Sequence, residues 1–138
     1  MSTGRVLVDT GAWLAAFHRR DQYHADAART LKQLRLERAR LVVTDLILAE
    51  LHLHLLHSFG LIRAIQHIET LIADPLIEET FLTEDLQTNA ISNWIHRFQD
   101  QAFTLTDAVS FAVMRARRIA TAFTFDQHFT IAGFRTLP

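Results

Sequence analysis

Arg5-Val6-Leu7-Val8-Asp9 is a short apolar segment that ends in a carboxylate, and it runs directly into Thr10-Gly11-Ala12-Trp13-Leu14-Ala15-Ala16-Phe17. The first part predicts a β-strand, and the second part predicts a helix. In an open parallel sheet, ligands bind outside the carboxyl ends of the strands. A functional site is therefore expected at Asp9, together with whatever groups the fold brings to the same edge.

Length and composition favour one globular domain. The chain has 138 residues, of which 49% are hydrophobic and 21% are charged. The formal net charge of −1 excludes a strong overall field for nucleic acid, so a nucleic-acid site has to be a local basic patch. The absence of cysteine excludes disulfides and thiolate metal sites. No signal segment and no membrane span is predicted, and a cytoplasmic protein is expected.

Short apolar segments alternate with helical segments along the rest of the chain. Further helices are predicted over residues 23–34, 46–58, 61–72, 83–98 and 107–117. Further strands are predicted over residues 41–43, between 76 and 82, and over 119–125 and 134–138. Thr44, Thr83 and Thr106 are predicted N-caps of the helices that follow them.

This alternation predicts an α/β fold, in which a parallel sheet is covered by helices on both faces. The expected architecture is a three-layer α/β/α sandwich with a short, mostly parallel central sheet, formed by residues 1–138 as a single domain. Because crossovers between parallel strands are right-handed, strand ends from distant parts of the chain gather at one edge.

Four acidic residues stand in contexts that solvation does not explain. Asp9 and Asp126 end predicted strands. Asp107 begins a predicted helix, and Glu50 lies inside the most apolar helix. Three of them have a simpler explanation, with Asp9 as a helix cap, Asp107 as a partner of the helix dipole and Asp126 as a turn residue. Glu50 is the hardest to explain in this way, because burying an unpaired carboxylate is costly.

Taken together, the four carboxylates predict a metal site at one edge of the sheet. Like charges at such short range repel strongly, so the cluster is reasonable only around a divalent cation. All-oxygen ligation selects hard ions, and Mg²⁺ or Mn²⁺ is expected. Such sites act on phosphate esters, where the ion polarises a phosphoryl oxygen.

Four segments resemble, in order and spacing, the successive motifs of the PIN-domain family. They are Val-Asp-Thr-Gly-Ala-Trp (8–13), Leu-Ala-Glu-Leu (48–51), Leu-Thr-Asp-Ala-Val-Ser-Phe-Ala-Val-Met (105–114) and Phe-Thr-Phe-Asp-Gln-His-Phe (123–129). The chain is similar in particular to the VapC-like toxins of bacterial toxin–antitoxin pairs. The resemblance covers essentially the whole chain, and the order of the motifs is more specific than any one of them.

The resemblance implies a metal-dependent endoribonuclease, the toxin of a type II toxin–antitoxin pair. It also implies RNA as substrate, a small antitoxin protein as partner and a homodimer. One departure is Gln127, which stands where a basic residue is frequent. The positions that carry over are Asp9, Glu50, Asp107 and Asp126 as catalytic and metal-binding acids, with Thr10 and Thr124 as hydroxyl groups beside the site.

On the residues themselves, the mechanism is metal-assisted, in-line attack of water on phosphorus. Asp9 and Asp107 are expected to be the primary metal ligands. Glu50 binds a metal or orients the water, and Asp126 completes a second metal's shell or holds ordered waters. The alternative, from another class of protein, is a PIN-like RNA- or protein-binding module without turnover.

Basic residues offer weaker candidates for contact with RNA. Arg115, Arg117 and Arg118 are either cations that favour a helix C-terminus or phosphate contacts. His54 shares a helical stripe with Glu50, so it is a candidate RNA contact if it lies near the site. The helices over residues 23–72 carry more apolar surface than a small sheet needs, which indicates either a partner surface or a thick core layer.

Two other sites are less favoured by the sequence. His52, His54 and His57 suggest zinc, but there is no H-E-x-x-H pattern, and polar positions on a partly exposed helix explain them better. Asp9-Thr10-Gly11-Ala12 also resembles an aspartic-protease loop, yet it occurs once in a chain with many helical segments and four glycines. The tryptophans and phenylalanines are expected to be core residues rather than base-stacking platforms.

Overall fold

A parallel sheet forms the centre of the computed structural model, which describes residues 4–138. In this part of the chain the strands are β1 (Arg5–Val8), β2 (Arg40–Thr44), β3 (Ile77–Thr80), β4 (Thr121–Phe123) and β5 (Arg135–Leu137). Their order across the sheet is β3-β2-β1-β4-β5, and every neighbouring pair is parallel. β1 is therefore central, and the chain adds strands first on one side of it and then on the other.

Two groups of helices pack against the sheet. The first group is α1 (Thr10–Phe17), α2 (His24–Leu36), α3 (Asp45–Phe59) and α4 (Leu61–Ala73). The second group is α5 (Glu84–Asn89) with its π-helical continuation (Ala90–Ile95), α6 (Leu105–Ala116) and α7 (His128–Ile131). Because right-handed crossovers that run in opposite directions lie on opposite faces, the two groups form the outer layers. The predicted α/β/α architecture is confirmed.

None of the helices within residues 4–138 has the length and apolar character needed to cross a lipid bilayer.

The strand order reverses between β1 and β4, and this reversal positions the site. The backbone amide of Asp9 donates to the carbonyl of Phe123 at 3.0 Å, so β1 and β4 reach the same edge side by side. α1 leaves this edge toward one face of the sheet, and the chain after β4 leaves toward the other. The crevice between two such divergent connections is where open α/β sheets bind ligands.

Apolar side chains hold these strand ends in place. Val6, Leu7 and Val8 are all buried, as expected for a central parallel strand that is covered on both faces. Trp13 and Phe111 are fully buried in α1 and α6, and burying a large side chain of this kind contributes roughly 1.5–3 kcal/mol. The core expectation holds for both tryptophans but not for every phenylalanine, since Phe81 is 61% exposed.

Two predicted N-caps are confirmed, and the third is wrong. The hydroxyl of Thr44 accepts from the amide of Ile47, and that of Thr83 accepts from Leu86. The N-cap of α6 is Thr104 and not Thr106, because the Thr104 hydroxyl accepts from the Asp107 amide while the Asp107 carboxylate accepts from the Thr104 amide. This reciprocal capping box requires a three-residue spacing, which Thr104 satisfies and Thr106 does not.

Other boundaries also differ from the sequence prediction. β4 is limited to Thr121–Phe123 within the predicted 119–125 segment. The predicted helix over 83–98 is α5 followed by the π-helical segment. Tyr23, the first residue of the helix predicted over 23–34, is instead the N-cap residue of α2 and is 42% exposed.

Candidate active site

Asp9 follows β1 directly and lies at the bottom of an open cleft of about 470 Å³. The residue is only 7% exposed. Asp9 occupies the predicted N-cap position of α1, but its side chain makes no capping hydrogen bond to the helix, so capping does not account for the carboxylate. Instead, the carboxylate accepts a hydrogen bond of 3.1 Å from the hydroxyl of Thr124, which follows β4. Asp9 is thus held at the strand edge and remains directed toward the cleft.

Asp107 enters the same cleft from the start of α6. The capping box fixes its side chain, since Oδ2 accepts from the Thr104 amide at 3.3 Å. Oδ2 also lies 3.3 Å from Nδ1 of His128. Among the hydrogen bonds of the described residues, none involves Oδ1 of Asp107. One oxygen of this 8% exposed residue therefore fixes its orientation, and the other remains available to a ligand.

Asp126 completes the acidic edge beyond the end of β4. Its amide donates to the Thr124 hydroxyl at 2.9 Å, and its carboxylate accepts from the His128 amide at 2.9 Å. The expectation that Asp126 forms a turn is therefore correct, yet the same carboxylate also lines the cleft. Thr124 links the two strand ends, because its hydroxyl donates to Asp9 and accepts from Asp126.

His128 is a site residue to which the sequence analysis assigned no role. Its Nδ1 lies 3.3 Å from Asp107 Oδ2 and 3.6 Å from Asp126 Oδ1. Its ring packs edge-on against Phe103, with ring centroids 5.2 Å apart. The available signal was its position two residues after a carboxylate that ends a strand, inside one of the four motifs. A histidine that donates to a metal-binding carboxylate fixes the orientation of that carboxylate.

Glu50, Thr10 and His54 line the remaining part of the cleft. Glu50 lies in α3 and is half-buried rather than buried, so the desolvation cost expected for it is smaller than the sequence indicated. It forms no ion pair with any residue in the range 4–138. The hydroxyl of Thr10 is buried and has no hydrogen-bond partner in the described residues. His54 is exposed at the outer end of the cleft.

The carboxylates of the cleft disfavour one another's charge. The pKa of Asp9 is raised to about 7. Burial is the main cause, and the charge of the neighbouring Asp107 carboxylate acts in the same direction. Burial also raises the pKa of Asp107 above its ordinary range, and the charge of Asp126 acts in the same direction. A cation bound between these groups would reverse both effects, because it stabilises the ionised forms.

The donor atoms fit a divalent cation. One ligand atom each from Asp107, Asp126 and His128 lie within 4.8 Å of one another. The carboxylate of Asp9 adds oxygen donors to the same cleft. Carboxylate oxygens are hard donors, which suit a hard divalent ion and its water shell.

The structure does not bring the basic run to this cleft. Arg115, Arg117 and Arg118 follow at the end of α6, and Asp107 lies near its start, so roughly 12–15 Å of helix separates them. Arg117 pairs with Glu78 at 3.1 Å, and the guanidinium of Arg115 lies over the ring of Phe134 at 5.0 Å. Arg115 and Arg117 therefore make structural contacts far from the acids.

The three histidines of α3 do not form a metal site in the described part of the chain. His54 faces the cleft, whereas Nε2 of His52 is buried without a hydrogen-bond partner there. His57 lies in the last turn of the helix. The group of possible metal ligands found within residues 4–138 is formed by Asp107, Asp126 and His128 instead.

A parallel sheet covered by helices on both faces, with four acids from separate segments in one cleft, is what the four sequence motifs implied. Residues 6–134 match the PIN domain family, and this chain belongs to it. The chain is 31% identical over 130 residues to a protein named 23S rRNA-specific endonuclease VapC20 from Mycobacterium tuberculosis, in strains CDC 1551 / Oshkosh and H37Rv. That match covers 94% of this chain and 95% of the relative.

A solved structure agrees with this assignment. The crystal structure of Mycobacterium tuberculosis VapC20, described as a toxin that cleaves the sarcin–ricin loop, superimposes with a TM-score of 0.84 at 28% identity. The superposition covers 94% of this chain and 95% of that chain. The predicted PIN-like fold and the resemblance to VapC-like toxins are both confirmed.

Proposed function

We propose that this protein is a Mg²⁺- or Mn²⁺-dependent endoribonuclease and the toxin of a type II toxin–antitoxin pair. The convergence of Asp9, Asp107 and Asp126 at the point where the strand order reverses carries the proposal. The likeness to a 23S rRNA endonuclease supports RNA as the substrate and makes a loop of ribosomal RNA the first one to test. We infer that the protein acts in the cytoplasm, where ribosomal RNA is found.

The residues of the cleft have different proposed roles in phosphodiester hydrolysis. Asp9 and Asp107 would hold the ion, and Asp126 would complete its shell or that of a second ion. When bound, the ion polarises the phosphate and offsets the charge that develops on it. Thr124 keeps Asp9 in place through its hydroxyl hydrogen bond. Glu50, which is free of ion pairs in the described residues, orients the attacking water and accepts its proton.

Removal and return of the metal tests this function. We expect purified protein to cut a bacterial 23S rRNA transcript with Mg²⁺ or Mn²⁺, to make no cut in EDTA, and to regain activity when either ion is restored. Cleavage is read by primer extension, with Asp100→Asn as a control, since that residue is exposed and lies outside the cleft. RNA binding that survives EDTA, with no products at any metal concentration, would instead support a binding module without turnover.

Exposed apolar side chains on α3 and α4 support a homodimer. A free surface seldom carries this many large apolar side chains on adjacent helices without a partner. They are Leu53, Leu61, Ile62, Ile65 and Ile72, with exposed fractions of 52%, 71%, 70%, 42% and 51%. We assign this surface to a second copy of the chain. A small antitoxin, whose basic residue would face the acidic cleft, is the other partner that we propose.

A charge placed on this surface tests the dimer. We expect wild-type protein to have twice the mass of the chain by light scattering, and Ile62→Glu to be monomeric, because a buried unpaired carboxylate at the interface is costly. Leu36→Glu is the matched control, since Leu36 is equally exposed but lies on α2. A wild-type monomer, or equal masses for wild type and Ile62→Glu, would contradict the assignment.

A further inference from the structure

Two aromatic side chains form a stacked pair at the edge of the cleft. The rings of Tyr23 and Phe125 are 4.5 Å apart at their centroids, and their planes differ by 8°. Both residues line the cleft that contains Asp9 and Asp126. Phe125 also directly precedes Asp126 in the chain. The pair therefore lies beside the acids to which the proposed reaction is assigned.

The two rings differ in how they are packed. Phe125 is half-buried and contacts Phe123, which is fully buried in β4, with ring centroids 5.9 Å apart. Tyr23 covers Phe125 on the outer side and is itself 42% exposed. Because Phe125 covers one face of the tyrosine ring, the exposed area belongs to the opposite face and the edge. The result is an open aromatic face that is supported from the core.

Local hydrogen bonds hold the segment that carries Tyr23. The Asp21 carboxylate accepts from the Tyr23 amide at 2.8 Å, and the Asp21 amide donates to the carbonyl of His18 at 3.0 Å. Nδ1 of His24 lies 2.8 Å from the carbonyl of Ala15 in α1. The aromatic face is therefore in position before a ligand arrives, and binding does not incur the cost of ordering it.

The same segment carries cations that the cleft itself lacks. The acids of the cleft repel phosphates, so an RNA chain needs positive charge at its edge. Arg19 and Arg20 lie in the loop before Tyr23, and both are exposed. Neither guanidinium forms an ion pair with another residue of the described range 4–138. An exposed aromatic side chain that follows two arginines closely in the chain is a combination suited to unpaired nucleotides.

We propose that Tyr23, supported by Phe125, binds a base adjacent to the phosphate that is cut, and that Arg19 and Arg20 hold a neighbouring phosphate. The substrate class is RNA with an unpaired, unstacked nucleotide, as in a loop, rather than continuous duplex. This inference rests on the proposed ribonuclease function. It adds a positioning residue that the four acidic motifs do not contain.

The test measures stacking directly. An RNA hairpin with 2-aminopurine at one unpaired position is bound to protein that carries Asp9→Asn, so that the RNA stays intact. We expect fluorescence quenching with Tyr23 and with Tyr23→Phe, because both present an aromatic face. Tyr23→Leu should bind roughly 5- to 150-fold more weakly and lose the quenching. Phe81→Leu is the matched control, since Phe81 is 61% exposed and lies outside the cleft.

Two further measurements make the test independent of any folding defect. An abasic site at the same position of the hairpin should weaken binding to the parent protein by a similar factor. Arg19→Ala and Arg20→Ala should each reduce the slope of log affinity against log salt by about 0.7, the value for one phosphate contact on a single strand.

Some results would overturn the inference. These are Tyr23→Leu binding and quenching like the parent, or Tyr23→Phe binding as weakly as Tyr23→Leu. A separate cleavage assay, with Asp9 intact, keeps the two proposals apart. If Tyr23→Leu cuts RNA with an unchanged KM, the base-stacking proposal is rejected and the ribonuclease proposal stands. If the wild-type protein quenches the fluorescence but never cuts RNA, the ribonuclease proposal is rejected and base stacking stands.

Discussion

Asp9→Asn is expected to lower the rate of RNA cleavage by roughly three orders of magnitude or more. Asparagine has the shape of aspartate, and its carbonyl can still accept the hydrogen bond of the Thr124 hydroxyl. The side chain loses its charge, however, and with it most of its affinity for a divalent ion. Asp9 lines the cleft where the ends of β1 and β4 meet, and it is one of the two acids assigned to hold the ion.

The measurement is a cleavage time course with saturating Mg²⁺, for Asp9→Asn beside wild type. Asp100→Asn is the matched control, because it makes the same chemical change at an exposed position outside the cleft. Circular dichroism of each variant separates loss of chemistry from loss of fold. Cleavage by Asp9→Asn at a rate close to that of wild type would remove Asp9 from the site and the proposed mechanism with it.

Asp9 also shows why the fold and the acids could be predicted from the sequence. Its carboxylate ends a buried strand and is followed at once by a helix, a local pattern that places a side chain at a sheet edge. Asp107 stands in the first turn of α6, and Asp126 stands shortly after the end of β4. Each of these positions lies in a motif of a few consecutive residues, so the motifs can be recognised in the sequence. The order of the motifs along the chain indicated the family, and this prediction is confirmed.

The remaining site residues depend on contacts between distant segments. His128 meets Asp107 from 21 positions further along the chain, and Tyr23 stacks on Phe125 across 102 positions. Periodicity describes one element at a time, so it placed Tyr23 inside a helix and gave His128 no partner. The same limit applies to Arg117, whose ion pair with Glu78 depends on where β3 lies in the sheet.

Metal-free protein is expected to lose stability as the pH rises from about 4 to about 7, chiefly through Asp9. Its pKa is about 7 in the folded state because burial disfavours the charge, whereas an exposed aspartate in the unfolded chain titrates near 3.8. Between these values the folded state binds more protons than the unfolded state, so the free energy of unfolding falls with pH. Between about pH 5 and pH 8 the expected loss is roughly 2–3 kcal/mol.

The difference between wild type and Asp9→Asn isolates this contribution from those of the other ionisable groups in the chain. Urea unfolding in EDTA is measured at several pH values. As the pH rises, the free energy of unfolding of Asp9→Asn should increase relative to that of wild type, and it should be the larger of the two at about pH 8. Saturating Mn²⁺ should restore the stability of wild type but not of the variant, because only the folded site with an ionised Asp9 binds the ion. If the two proteins instead keep the same stability difference at every pH, Asp9 titrates as an exposed carboxylate and the buried acidic cleft is not its environment in solution. The opposing responses to pH and to metal follow from one arrangement, in which a buried carboxylate next to Asp107 is unfavourable without a cation and becomes favourable when the cation is bound.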